Sequence, residues 1–596
     1  MKKIILLSAI PFSIYATNDL TVNVTAERLS KPLSEVTSST IYLSKEDIEN
    51  STEMYLPELL NTKAGIQAAT SGGPGQTSSL YIRGAKTEYT LVIIDGVKVN
   101  DPSAIGAQFD LRQIPLGSIE TVEILKGPQT VLYGVDAVAG VIKITTRKSK
   151  RKESNLSFGV GSFETKDVSA STSGVEGKLR YRFSGSAYRT KGISAADQNE
   201  GDAREADGFM RNSFNGSLSY SVNNYDLGLS LFTIKSTGET DAYSSGSSKD
   251  RVDDDNDQYD QFLSSLNFGY NWSDHFSSKI VLSENKIFRT NDQYSLEWRA
   301  KKQQVELENI YRYSLEQALI FGGEFERDKI SSKSEFKGRT NNKKSFYLLN
   351  QSKYGKLFSD QGVRLAYHKA YDSKATYKLG LGYYLSSNVI VKGSYGTSIK
   401  EATTDELYTN YGGNPNLDPT KSESFDLSLE ADFEKLDFKL TYFDTEYRDQ
   451  ITYNSSTSSY ENLKKTKTKG LELTFESYIF DSLRLIGSAT VLRAYSLEDG
   501  SYLARRARHH ESLSLEYFGF GKTLINLSFK NVGKRNESTG QVMPSYFITD
   551  FSTRYDLSKR LSLSAKVLNV FDKSYQEVRT YGKAGRNYFL SADFKF

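Results

Sequence analysis

The chain contains no cysteine, which excludes disulfide frameworks, thiolate metal sites and cysteine nucleophiles together. Histidine is nearly as scarce. His275, His368, His509 and His510 are the full set, and the adjacent pair cannot chelate a metal as an i, i+4 helical pair does. Proline numbers only 10 in 596 residues. An excess of either charge is missing too: 76 Lys+Arg against 73 Asp+Glu leave +3, so nothing points to nucleic acid or another polyanion as a partner. No stretch beyond the N-terminus approaches 18 uninterrupted apolar residues, so no transmembrane helix is expected. Catalytic patterns are lacking as well. Gly519 to Thr523 looks like the end of a phosphate loop, but Glu516 holds the first glycine's place; Gly72-Gly73-Pro74-Gly75 opens no helix, and no Gly-x-Ser-x-Gly elbow occurs.

What the chain does have is aromatic side chains, 39 Tyr and 32 Phe, against a polar mean hydropathy of −0.51. Its first residues read as an export signal. Lys2 and Lys3 precede an apolar run from Ile4 to Tyr15, too short to span a bilayer, and Ala16 supplies a small residue for cleavage. Residues 1–16 are therefore expected to be a signal peptide, whose loss leaves a mature charge of +1.

The character of the sequence changes near residue 150. Before it, continuous apolar runs such as Leu91-Val92-Ile93-Ile94 and Val141-Ile142-Lys143-Ile144 suit strands buried on both faces of a small mixed α/β domain. Ser44 to Ile48 reads as a capped helix start, and Met54 to Thr62 as a second short helix. A basic cluster from Arg147 to Lys152 marks the boundary. Beyond it the period is two: Leu436, Phe438, Leu440 and Tyr442 alternate with polar residues, as do Leu471, Leu473, Phe475, and Leu561, Leu563, Ala565. The chain ends with Tyr588, Leu590, Ala592, Phe594 and Phe596 on one face. Such strands have one apolar and one polar face. A soluble sandwich would alternate too, but export, abundant Tyr and Phe, and an alternating last strand ending on Phe596 favour a membrane β-barrel with apolar side chains toward lipid.

At Leu80-Tyr81-Ile82-Arg83-Gly84, Thr90 to Val97 and Ile119 to Thr146 the chain resembles the plug domain of TonB-dependent outer-membrane transporters. Asn414-Pro415-Asn416-Leu417 with Pro419, and the block from Leu568 to Phe596, resemble that family's barrel; Thr420 stands where the family usually has Glu, a change expected to alter only a local loop contact. The resemblance implies a signal peptide over 1–16, a TonB-box region over 17–30, a plug over 31–150 and a transmembrane β-barrel of about 22 antiparallel strands over 151–596, with the plug inside the lumen. That leaves about 20 residues per strand and loop. It also implies energised uptake of a scarce, large ligand. TonB and its inner-membrane complex would act by strand addition on an initially unpaired segment, here Leu20, Thr21, Val22, Asn23 and Val24. Those residues also read as an ordinary first strand of the plug.

Within the family the chain is most similar to the cobalamin transporters, at Gly75 to Ser79, Ser394 to Ser398, Arg505-Arg506-Ala507 and Gly585 to Tyr588. By that likeness Ser79, Ala242 and Arg505 become candidate ligand contacts, with a plug hairpin hydrogen bond and a loop ion pair as the structural alternatives for Ser79 and Arg505. Glu205, Asp207, Asp241 and Asp250 become candidate calcium ligands in extracellular loops, since calcium takes six to eight oxygens. Ser194, Ala203 and Thr240 stand where that branch has further ligands; Asp197, Asp202 and the acidic run from Asp253 could compensate. That run is no EF-hand, because Gln258 and Ser264 replace the required Gly and Glu. A solvated acidic loop is the competing reading. An iron-siderophore is the alternative ligand; haem is disfavoured because residues 396–413 contain no His. A passive porin would lack the plug and coupling segment, and an enzyme would need a nucleophile–base pair. Outer-membrane lipid is the expected surrounding, and a surface lipoprotein is an accessory partner the resemblance admits.

Overall fold

A computed structural model describes residues 23–195, 206–240, 255–292, 295–333, 338–368 and 371–596. The expected signal peptide, and Leu20, Thr21 and Val22, lie outside these residues.

The chain opens with a hairpin of β1 (Asn23–Glu27) and β2 (Leu29–Pro32), then β3 (Thr40–Leu43) and α1 (Lys45–Asn50). The helix starts as the sequence predicts. Ser44 Oγ accepts from the Asp47 amide and the Asp47 carboxylate accepts from the Ser44 amide, a reciprocal capping box. The second helix, α2 (Leu56–Leu60), is shorter than Met54 to Thr62 and begins with Pro57 in its first turn. After β4 (Ile66–Thr70) and β5 (Ser78–Ile82) come β6 (Thr90–Ile94), β7 (Val97–Lys98), β8 (Ile119–Lys126), a turn of helix α3 (Thr130–Tyr133) and β9 (Gly140–Thr146). These build a five-stranded sheet in the order β3-β8-β9-β6-β7, with β6 and β9 parallel. Every residue of β6 is buried, as its unbroken apolar run requires. Asp95 (φ 47°) and Gly96 (φ 87°) close the β6–β7 hairpin, a pair of left-handed positions that Asp-Gly tolerates. Leu56, Leu60, Ile66, Ile82, Ile124 and Ile142 fill the core of this plug.

The rest forms one closed antiparallel barrel of 22 strands. It begins with β10 (Glu153–Gly161), β11 (Thr165–Glu176), β12 (Leu179–Thr190) and β13 (Phe209–Val222). The last strand, Asn587–Lys595, pairs back on β10 and seals the edge. Its alternation points apolar side chains outward: Leu436 and Tyr442 are 43% and 38% exposed while the neighbouring Thr441 is 1% exposed. That is the arrangement of a barrel in lipid, the reverse of a sandwich. Connections at one end are tight, as between Glu176 and Leu179 or Val222 and Tyr225, and those at the other are long, as between Thr190 and Phe209. Short turns mark the periplasmic end and long loops the extracellular end. Tyr225, Tyr270 and Trp272 cluster beside one periplasmic turn, ring centroids 4.7 Å apart, as part of an aromatic girdle.

Candidate functional site

The plug sits in the lumen, tied to the wall by buried ion pairs. Arg83, 3% exposed, sends two nitrogens to Glu472 (2.9 and 3.1 Å) and a third to Asp426 (2.8 Å). Its guanidinium also lies 4.7 Å from the Phe443 ring centroid. Lys126 adds a 2.6 Å contact to Glu472; burial draws its ammonium down to about 8 despite that carboxylate. Gly84 beside Arg83 has φ 75°, and a Cβ there would press on Leu492 and Ala494, so glycine is required on two counts. Lys98 pairs with Glu324 and Glu326 on the wall.

The N-terminal hairpin is anchored in the same way. Arg28 reaches Glu306 (2.7 Å) and Glu308 (2.5 Å), Lys31 reaches Asp360 (3.1 Å), and Glu27 accepts from Lys378 (2.5 Å) and Lys31 (2.6 Å). Burial alone would raise the Glu27 pKa; the Lys31 and Lys378 ammonium groups overcome it and hold the carboxyl well below its ordinary range. The hairpin corrects one expectation. Asn23 and Val24 are not unpaired: Asn23 lies opposite Pro32 and Val24 opposite Lys31, with Val24 1% exposed. Alternation lets Val24 bury its side chain against the plug, so the end of the proposed coupling segment is folded in.

Toward the extracellular mouth, plug and wall enclose a cavity of about 290 Å³. Ser79, Tyr81, Lys86 and Glu88 line it from the plug; Tyr447, Gln450, Lys464 and Arg506 line it from the barrel. Arg506 donates to the Gly84 carbonyl (3.1 Å) and stacks 4.0 Å from the Tyr81 ring centroid. Tyr89 and Tyr447 stack beneath at 5.4 Å. Ser79 lines this cavity, and its backbone pairs with Ala69 across the plug hairpin. Arg505 departs from expectation. It has φ 64°, pairs with Glu537 at 2.7 Å and does not line the cavity, so the loop ion pair is the arrangement found. Its neighbour Arg506 is the guanidinium at the cavity, one position on in a loop whose turn the sequence does not specify.

Asp207 is buried and its carboxylate accepts from the Ala195 amide at 2.5 Å, tying one extracellular loop to itself. Glu205, Asp241, Ala242 and Asp250 lie outside the described residues. Among the described residues no group of three His, Cys, Asp or Glu side chains converges on a point that could hold a metal. Thr420 is 1% exposed and donates to the Asp449 carbonyl (3.2 Å), at a register irregularity inside the neighbouring strand Leu436–Asn454. The Gly-rich segment at 72–75 lies between β4 and β5, and His509 and His510 sit side by side on one strand.

Comparison with known proteins agrees with this architecture. Residues 32–141 match the TonB-dependent receptor plug domain and residues 155–570 the TonB-dependent receptor-like β-barrel. The chain is 28% identical to the vitamin B12 transporter BtuB of Vibrio vulnificus, over 97% of this chain and 96% of the relative. It is 26% identical to BtuB of Vibrio cholerae, over 97% and 95%. Among solved structures, the siderophore receptor PirA of Acinetobacter baumannii superposes with a TM-score of 0.81 at 18% identity, covering 94% of this chain and 98% of that one. A ferric enterobactin receptor PfeA mutant of Pseudomonas aeruginosa does so at 0.80 and 18%, with the same coverage. With a plug held in a closed 22-stranded barrel and both parts matched, the chain belongs to the TonB-dependent receptor family of outer-membrane transport proteins.

Proposed function

We propose that this receptor imports cobalamin across the outer membrane, energised by TonB through Leu20 to Val24. The observation that carries the ligand is sequence likeness to vitamin B12 transporters along nearly the whole of both chains. The solved neighbours, at 16–19% identity, speak for the fold alone. The strand character of Asn23 and Val24 supports coupling by strand addition. Export by a signal peptide over residues 1–16 belongs to the same reading. So does calcium: Glu205, Asp207, Asp241 and Asp250 would supply hard oxygen ligands, and Asp207 already orders its loop. A surface lipoprotein fits as an accessory at the extracellular mouth.

A ferric siderophore is the second reading, favoured by one feature of the cavity: Lys86, Lys464 and Arg506 line it against a single carboxylate, Glu88. Equilibrium binding of cyanocobalamin, a ferric siderophore panel and haem to the purified receptor, with and without calcium, separates them. Nanomolar, calcium-sensitive cobalamin binding supports the first reading. Tight siderophore binding without it replaces that reading with the second.

A further inference from the structure

The plug is not held evenly. Its ion pairs to the wall reach strands from Arg289 through Arg484 and again at Lys530 and Arg554. Among the described residues, none joins residues 23–146 to β10, β11, β12, β13 or the last strand. There the lumen face is built of small polar side chains. In-register rows run Ser157, Ser169, Ser186, Ser213 and Asn155, Ser171, Ser184, Asn215 across four strands. Small side chains leave space, and a cavity of about 570 Å³ separates this wall from the plug. It extends from Glu153 and Arg182, near the periplasmic turns, to Tyr188 and Arg211, near the extracellular ends of β12 and β13.

The cavity carries an excess of positive charge. Ten basic and six acidic side chains line it, and Asp167 and Asp593 are the carboxylates on the strand wall deeper than Glu153. Arg182 is 7% exposed and makes no hydrogen bond and no close ion pair among the described residues, with Glu153 and Glu120 the carboxylates that act on it from a distance. Arg211, 5% exposed, donates to the Arg112 carbonyl but leaves Nε unpartnered, and Asn215 Nδ2 is buried without a partner. Guanidinium and amide N–H groups are donors only, so what they await is an acceptor, water or an anion.

The upper end is narrowed by Glu53, Met54, Phe589 and a contact between two tyrosines. Tyr55 of the plug and Tyr188 of β12 bring their hydroxyls to 2.5 Å, with the rings edge-on at 6.1 Å. Arg112 stands 5.5 Å from the first ring and Arg211 5.5 Å from the second. Above them lies a smaller cavity of about 170 Å³, bounded by Gly72, Pro74, Phe163 and Ile193; it shares Glu53, Met54, Tyr55, Tyr188 and Phe589 with the lower one and carries four carboxylates against three basic side chains.

We propose that the two cavities are halves of one hydrated passage between the plug and β10–β13, closed at rest at the Tyr55–Tyr188 contact, whose lower half favours anionic solutes. Motion of the plug away from this weakly tied wall would open it while the ion pairs on the other strands hold. The proposal concerns this wall alone and stands whichever ligand the extracellular cavity takes.

The test uses the full-length receptor in planar bilayers with potassium chloride. Tyr55→Ala/Tyr188→Ala should conduct steadily where the parent does not, with a chloride-to-potassium permeability ratio above one. Adding Arg182→Gln and Arg211→Gln should bring the ratio to about unity while conductance remains. A correctly folded Tyr55→Ala/Tyr188→Ala receptor that stays closed, prefers cations, or ignores the arginine changes overturns the proposal. A second measurement leaves the closure intact. Since the chain has no cysteine, Ser186→Cys provides a single thiol in the lower cavity. A sulfonate-bearing methanethiosulfonate added from the periplasmic side should modify it faster than its ammonium counterpart, after correction for their rates on a free thiol. Equal rates, or the reverse order, contradict the proposal.

Discussion

Arg83 of the plug and Glu472 of the barrel wall form a two-pronged pair, Nε to Oε1 at 2.9 Å and Nη2 to Oε2 at 3.1 Å, though 389 residues separate them. The fork is completed by Asp426, which has no other ion pair among the described residues. Replacing Arg83 by Ala leaves Asp426 buried and unmatched, since Lys126 still reaches Glu472. The expected cost is about 3–5 kcal/mol. Denaturant-dependent protease cleavage of the plug should show it, and Arg83→Lys should not restore it because an ammonium lacks the planar fork that grips both Glu472 oxygens while a third nitrogen reaches Asp426.

The anchored hairpin gives a pH prediction. Lys31 and Lys378 hold Glu27 below its ordinary pKa of 4.5, and Ser38 Oγ donates to it at 2.9 Å. A depressed carboxyl contributes stability above 4.5 that is lost only as pH falls through its lower folded value. Labelling of Val24→Cys, at a position 1% exposed in the hairpin, by a thiol reagent should therefore hold its pH-corrected rate between pH 5 and 8 and rise in stronger acid. Lys378→Met should raise labelling at neutral pH by about tenfold or more, a loss of about 1.4 kcal/mol.

Val22→Pro should abolish uptake and leave surface binding of ligand intact, because proline removes a strand-pairing donor. Persistence of uptake would mean that the coupling segment lies elsewhere.

At the extracellular cavity, Ser79→Trp should fill much of the roughly 290 Å³ and weaken ligand binding at least about tenfold. Arg506→Ala should weaken it more than Arg505→Ala, whose guanidinium is committed to Glu537. Titration calorimetry on the three variants decides the order.

Much of the fold was legible because it is local. Ser44 and Asp47 cap a helix three residues apart, Asp95-Gly96 turns a hairpin, and the period of two sets which face of each strand meets lipid. The plug's attachment was not legible, because Arg83, Glu472, Arg28 and Glu308 are distant in sequence and read singly as ordinary charges. The site was legible in part. Ser79 reached the cavity, while a left-handed backbone at Arg505 sent that side chain to Glu537 and left Arg506 facing inward. Asn23 and Val24 read as a free strand but already had partners nine and seven residues on, within the same hairpin.

The central claim is energised cobalamin import, and uptake of radiolabelled cyanocobalamin measures it directly. Cells whose only outer-membrane cobalamin route is this receptor should accumulate label, and accumulation should stop on deletion of TonB or collapse of the proton-motive force while surface binding persists. Accumulation that continues without TonB, or absence of cobalamin uptake beside TonB-dependent uptake of a ferric siderophore, would contradict the account.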